Sequence, residues 1–394
     1  MQAVPEVAAV PAGARDAATW YGYLALGAFT YLISIQGNII PFLKAELDLS
    51  YRAVSLHTSG IAVGLLVIGL LGDRLVSAFG RRTMLRVGLL GGGLAMALLT
   101  LAPAASVSVA TCVLFGLLGA FVPAVVPALL SDIYGERREV AFTESNAVAY
   151  AFAIMAPLIA GTAVWAGWNW RVVPLVGTLA AVVIVTAFWR LPVPEGAPPA
   201  AGKPATLPPA FWAYWAMLGS VVALEFSVLL WAPTFLETVV GLTPSSAAMG
   251  AAAFFVAMLL GRTVGIRLVR MFAARDLFLA AAATTLVGFV AYWGGSSVPA
   301  VSIAGLFVVG LGIALTFPLT LGLAIGAAGA EANRASARVM LAPALAILLN
   351  PPLLGAIADG AGLRLAQLMV PVFTLLAVAA FLAAGRLGGR PARR

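Results

Sequence analysis

Apolar segments long enough to cross a lipid bilayer recur along almost the whole chain, and this recurrence limits the fold more than any single motif. A hydrocarbon layer about 30 Å thick takes roughly 20 mostly apolar residues of helix per crossing. The backbone must satisfy its own hydrogen bonds there, which helices do. Such segments fall near residues 20–42, 54–74, 84–103, 108–131, 141–165 and 171–191, then near 211–236, 245–268, 276–294, 299–324, 335–358 and 364–385. Some joints are brief, LAPAAS after residue 100 and AGWNW after residue 165, so ten or eleven spans is the alternative count. Only 10% of the residues are charged, against about 25% in soluble proteins. One buried core cannot account for that difference.

Charge then orients the spans. With the N-terminus inside, cytoplasmic joints hold Arg74, Arg81, Arg82, Arg86, Arg137, Arg138, Arg190, Lys203, Arg267, Arg270, Arg275, Arg334 and Arg338. The far side receives Lys44, Arg52, Arg171 and Arg364. This is the positive-inside pattern, and it predicts a bacterial inner-membrane protein with both termini cytoplasmic. The opening residues read as a tail rather than a signal peptide, because prolines and Glu6 break the apolar stretch and no basic region precedes it. The stretch LPVPEGAPPAAGKPATLPPA, residues 191–210, opposes a continuous helix. The expected organisation is a tail (1–19), a six-helix bundle (20–191), a cytoplasmic linker (192–210), a second six-helix bundle (211–385) and a basic tail (386–394).

The same composition excludes several functions. One cysteine, Cys112, and one histidine, His57, leave no disulfide and no Cys- or His-rich metal site. The net charge of +8 is explained by topology, and no nucleic-acid motif accompanies it. No phosphate-cradling glycine loop and no nucleophile–base arrangement appears. Neither ATP hydrolysis nor other enzyme chemistry is expected, and no cofactor.

The two bundles read as a repeat. GDRLVSAFGRRTML, residues 72–85, aligns with GIRLVRMFAARDLF, residues 265–278, at an offset of 193. The same offset pairs Phe42, Leu43 and Leu49 with Phe235, Leu236 and Leu242, and an offset of 194 pairs Pro157 and Gly161 with Pro351 and Gly355. Six crossings return the chain to its starting face. The expected fold is therefore an all-α membrane protein of twelve transmembrane helices, in two six-helix halves related by a pseudo-two-fold axis along the membrane normal.

On these residues the chain resembles the major facilitator superfamily over nearly its full length. That family's joint motif runs glycine, three residues, Asp-Arg, one residue, Gly-Arg-Arg. Here Gly72-Asp73-Arg74 and Gly80-Arg81-Arg82 are separated by LVSAF, and Ser77 stands at the usual aspartate position. Cys112 begins the stretch of the fourth span where many members carry arginine. The antiporter signature of the fifth span survives only as Pro157 and Gly161 within Ala156–Gly161. The resemblance implies alternating access, with spans one, four, seven and ten lining a central passage.

Within the spans, Glu225 is the sharpest feature. It lies about 21 Å along the seventh span at 1.5 Å per residue, where a lone carboxylate is costly when ionised. It is a proton-coupling candidate, the alternative being a helix lock. Tyr31, Ser34 and Asn38 share one face of the first span, with Gln36 just off it. With Ser227 and Trp231 they are candidates for solute contact, or for helix–helix hydrogen bonding. Asn146 and Tyr150 share a face of the fifth span with Pro157, and Asn350 precedes Pro351 and Pro352; these residues contact solute or repair proline-broken helices. Arg262 binds a solute carboxylate if it faces the cavity, or snorkels to headgroups if it does not. Asp73, Arg74, Arg81, Arg82, Asp132, Arg267, Arg270 and Arg275 are gate candidates at the cytoplasmic joints.

These features predict a secondary transporter acting as a monomer in lipid on a small organic solute, with the proton gradient as energy source. Export of amphiphilic compounds is the leading expectation. Uptake of a small carboxylate by proton symport is the alternative, favoured if Arg262 lies in the cavity. A channel or a non-transporting receptor is the reading from another class.

Overall fold

The computed structural model describes residues 15–135, 138–195, 207–329 and 338–388. The predicted tails and linker fall largely outside these residues, as do Arg137, Lys203 and Arg334. Among the described residues eleven helices are long and apolar enough to cross a membrane. They are α1 (Ala17–Glu46), α2 (Tyr51–Phe79), α3 (Arg81–Leu99), α4 (Ala105–Tyr134), α5 (Arg138–Trp165), α7 (Pro209–Thr238), α8 (Pro244–Met271), α9 (Ala274–Gly294), α10 (Pro299–Ala327), α11 (Leu341–Ala361) and α12 (Leu363–Arg386). The twelfth, α6 (Val172–Ala187), is apolar but shorter. At 16 residues it spans about 24 Å, and it completes the first half.

Several helices outrun the apolar windows that announce them. α1 and α7 have 30 residues each, about 45 Å, more than the hydrocarbon needs. Local chemistry sets their ends. Asp16 caps α1 by accepting from the Thr19 N–H, and Ser50 caps α2 by accepting from Ala53. Pro209, Pro244 and Pro299 open α7, α8 and α10 where a missing N–H costs nothing. α2 stops at Gly80, whose φ of 81° suits glycine. The eleventh span, expected from residue 335, has its described helix from Leu341.

Helix packing repeats between the halves. In the first half α1 lies on α5 and α6, α2 on α4, and α3 on α4 and α6. In the second, α7 lies on α11 and α12, α8 on α10, and α9 on α10 and α12. Each pair maps onto its counterpart six helices later. The seam obeys the same relation, for α2 meets α11, α5 meets α8, and α1 meets α7. A two-fold exchange of halves turns the first of these contacts into the second and the third into itself.

The glycines matched at an offset of 194 occupy equivalent places on that seam. A Cβ at Gly161 would lie 2.9 Å from the Ser245 carbonyl oxygen of α8, and one at Gly355 would lie 2.6 Å from the Tyr51 carbonyl oxygen of α2. Gly355 lets backbones of opposite halves meet directly, and Gly161 makes room for both the Ser245 carbonyl and the Met249 side chain.

Candidate functional site

Joints carrying Arg81 and Arg270 lie on one face of the bundle, called here the basic face. On the opposite face the halves are closed together. The Asp359 carboxylate of α11 accepts from the Tyr51 and Arg52 backbone N–H groups at 2.7 and 3.0 Å, capping α2 from the other half. Ser245 donates to the Gly161 carbonyl at 2.8 Å, and Ser59, deeper in, donates to the Leu348 carbonyl at 2.7 Å. Tyr51 meets Trp231 edge to face with ring centroids 5.6 Å apart. Sequence reasoning missed Asp359; its only signal is an acidic residue placed at the end of a span.

This cap has a measurable consequence. A carboxylate on two free N–H groups at a helix start contributes about 1 kcal/mol, so Asp359→Ala should raise the open fraction of this seam about fivefold. Maleimide labelling of Ser59→Cys should accelerate by that factor; an unchanged rate would mean that other contacts hold the seam shut.

Nearer the middle, four of the sequence candidates converge. Arg262 of α8 places its guanidinium over the Tyr150 ring of α5, 4.4 Å from the centroid, and its Nη1 lies 3.5 Å from Asn146 Oδ1. The Tyr150 hydroxyl and the Glu225 carboxyl of α7 are close enough to interact, and Glu225 lies within electrostatic reach of Arg262. By residue count from their basic-face ends, Asn146, Arg262, Tyr150 and Glu225 lie about 12 to 24 Å deep. All four are partly exposed in a region where the two halves meet. Arg262 therefore turns into the seam, not outward to lipid headgroups. Its Nε is buried without a hydrogen-bond partner, and no carboxylate comes within ion-pair distance of it among the described residues. Such a guanidinium can still receive an anion.

A second polar group lies on the other side of α7. Asn350 Nδ2 donates to the Ala223 carbonyl at 2.9 Å and to Ser227 Oγ at 3.0 Å, while Gln367, which sequence reasoning missed, donates to the Ser227 carbonyl at 3.3 Å. Asn350 Oδ1, Gln367 Oε1 and Trp231 Nε1 are buried and unpartnered.

The first-span candidates point elsewhere. Tyr31 donates to the Val173 carbonyl of α6 at 2.9 Å, and Gln36 reaches Met96 Sδ of α3 at 3.9 Å. Asn38 donates to the Ser34 carbonyl at 3.3 Å and leaves its Oδ1 unpartnered. Tyr31 and Gln36 thus pack within their own half.

The gate candidates do not bridge the halves in this conformation. Arg81 pairs with Asp132 of its own half at 2.6 Å and donates its backbone N–H to Glu195, at the start of the expected linker, at 2.9 Å. Arg82 and Arg86 both donate to the Trp189 carbonyl. Asp73, Arg74, Arg267, Arg270 and Arg275 are exposed. The three ion pairs among the described residues all lie within the first half.

Comparison with known proteins adds the family context. A family model described as Major Facilitator Superfamily matches residues 22–273, more than half of the chain. An uncharacterized MFS-type transporter of Yersinia pestis is 33% identical over 156 residues, 40% of this chain. The chain spans 40% of the length of the curated relatives it matches. Among solved structures, a bacterial homologue of the human lysosomal transporter Spinster, inward-facing and occupied, aligns with a TM-score of 0.75 at 17% identity, covering 97% of this chain and 100% of that one. A D-xylose–proton symporter aligns at 0.73 with 14% identity, covering 94% and 96%. At such identities the likeness is one of fold.

Proposed function

The chain belongs to the Major Facilitator Superfamily, a family of transporters rather than enzymes, and we propose that it carries a small organic carboxylate together with a proton. The observation behind this reading is the placement of Arg262, which faces the seam beside Tyr150, Asn146 and Glu225 with its Nε unpartnered. Guanidinium binds carboxylate through paired, directional hydrogen bonds. That chemistry puts uptake of a small carboxylate ahead of export of amphiphilic compounds, which would want an apolar, aromatic lining instead.

In this reading the basic face is cytoplasmic, both termini lie inside, and the conformation is closed outward. The solute's carboxylate engages Arg262, and Glu225 takes a proton as it does so. Tyr150, beside Glu225 and stacked under Arg262, links the two events across the seam. Release of proton and solute inward resets the site, and opening of the Asp359 cap re-exposes it outward. The basic-face arginines and Asp132 then close the inner side. The monomer suffices, since each half supplies the other's packing surface. The fold neighbour named as a D-xylose–proton symporter lends analogy for proton coupling.

Counterflow in proteoliposomes tests the substrate class. Vesicles preloaded with pools of polar carboxylates should take up labelled members of the same pool, while pools of amphiphilic cations should give no exchange above protein-free vesicles. The reverse result would restore the export reading.

A further inference from the structure

A second binding feature lies on the flank of the first half, away from the seam. Thr83, Arg86, Val87, Leu90, Gly91 and Trp189 line a groove of about 430 Å³ between the start of α3 and the chain just beyond α6. Arg82 and Arg86 both donate to the single Trp189 carbonyl, and Arg86 stacks its guanidinium 4.0 Å from the Trp189 ring. One neutral carbonyl at a helix end carries only a partial negative charge. It cannot balance two guanidiniums, and neither arginine has an ion-pair partner among the described residues. Arg82 Nε is also buried with no hydrogen-bond partner.

The backbone beneath the groove is itself irregular. Val87–Gly91 form a π-helical turn within α3, a deviation that costs regular hydrogen bonding and recurs at functional sites. Beyond it Leu94 and Leu98 carry α3 into the bilayer as exposed apolar side chains. Trp189 is exposed as well, in the manner of tryptophans at the headgroup level.

We propose that this groove is a binding site for one anionic phospholipid of the leaflet at the basic face. Its phosphate meets Arg82 and Arg86, and an acyl chain follows Val87 and Leu90 along the π turn towards Leu94. Basic pockets between transmembrane helices on that side suit such headgroups. The occupant is a lipid rather than a soluble phosphate because the groove's wall is apolar and opens to the hydrocarbon. The site is independent of the transported solute.

Native mass spectrometry of the full chain in mild detergent, with phosphatidylglycerol or phosphatidylcholine added, reads the site directly. Wild type should retain one phosphatidylglycerol with a preference over phosphatidylcholine of about 30-fold, the contribution of two arginines at the membrane surface. The R82A/R86A double variant should lose that preference. L90W should weaken retention with every charge kept, so a folding failure of the double variant leaves the test intact. R386A, on the same face but distant in the chain, should behave as wild type. Equal retention by wild type, R82A/R86A and L90W would overturn the proposal. So would displacement of the lipid by millimolar glycerol 3-phosphate, which would mean that a soluble phosphate is enough.

Discussion

Arg262→Ala should weaken carboxylate binding about 30-fold or more, with the fold intact. Removing one partner of a desolvated charge pair costs about 2 kcal/mol at the low end, and tenfold in affinity corresponds to about 1.4 kcal/mol. The arginine also stacks on Tyr150, a contact of about 0.5–2 kcal/mol. Arg262→Lys separates the two contributions. It keeps the charge and part of the stacking but loses the paired geometry, so it should recover some affinity and little selectivity between mono- and dicarboxylates. Isothermal titration with the exchanging pool would measure both variants. Unfolding of Arg262→Ala well below the wild-type temperature, with affinity unchanged, would make the residue a structural strut and remove the carboxylate reading.

Glu225→Gln should separate solute movement from proton movement. Glutamine fills the same volume and keeps an acceptor oxygen beside Tyr150, but it cannot take up and release a proton. Carboxylate counterflow, which needs no net proton transfer, should persist within about threefold, while net uptake driven by a pH gradient should fall to the level of protein-free vesicles; a change of this size reflects loss of a step rather than a shifted barrier. Loss of counterflow together with uptake would point instead to Glu225 as a helix lock or a solute ligand. Retained pH-driven uptake would place the proton elsewhere.

Much of the fold was legible in the sequence, and for a physical reason. Lipid leaves a chain few options, so hydropathy and arginine placement reveal spans and their common face. The repeat offset was informative down to single atoms. Gly161 and Gly355, matched in one dimension, turn out to lie at places where opposite halves meet closely, as does Gly37 against the Leu229 carbonyl. What the sequence could not supply was azimuth. Position along a span gives the depth of Arg262, but only the packing of α8 on α5 decides that it faces Tyr150 rather than lipid. The same limit explains Tyr31, whose stripe with Ser34 and Asn38 is real although its hydroxyl serves α6. Asp359 was invisible for another reason, since its partners are backbone N–H groups 308 and 307 residues away. The joint charges, read as a gate, form no ion pair between the halves among the described residues, and Arg81 and Asp132 pair with each other instead.

If carboxylate and proton cross together, as proposed, luminal pH follows carboxylate entry. Proteoliposomes holding a pH dye, with no imposed gradient, would receive carboxylates too polar to cross lipid unaided. Carboxylate-dependent acidification of the lumen is expected in wild type and none in Glu225→Gln. Carboxylate entry measured in parallel by label, with luminal pH unmoved in wild type, would contradict it.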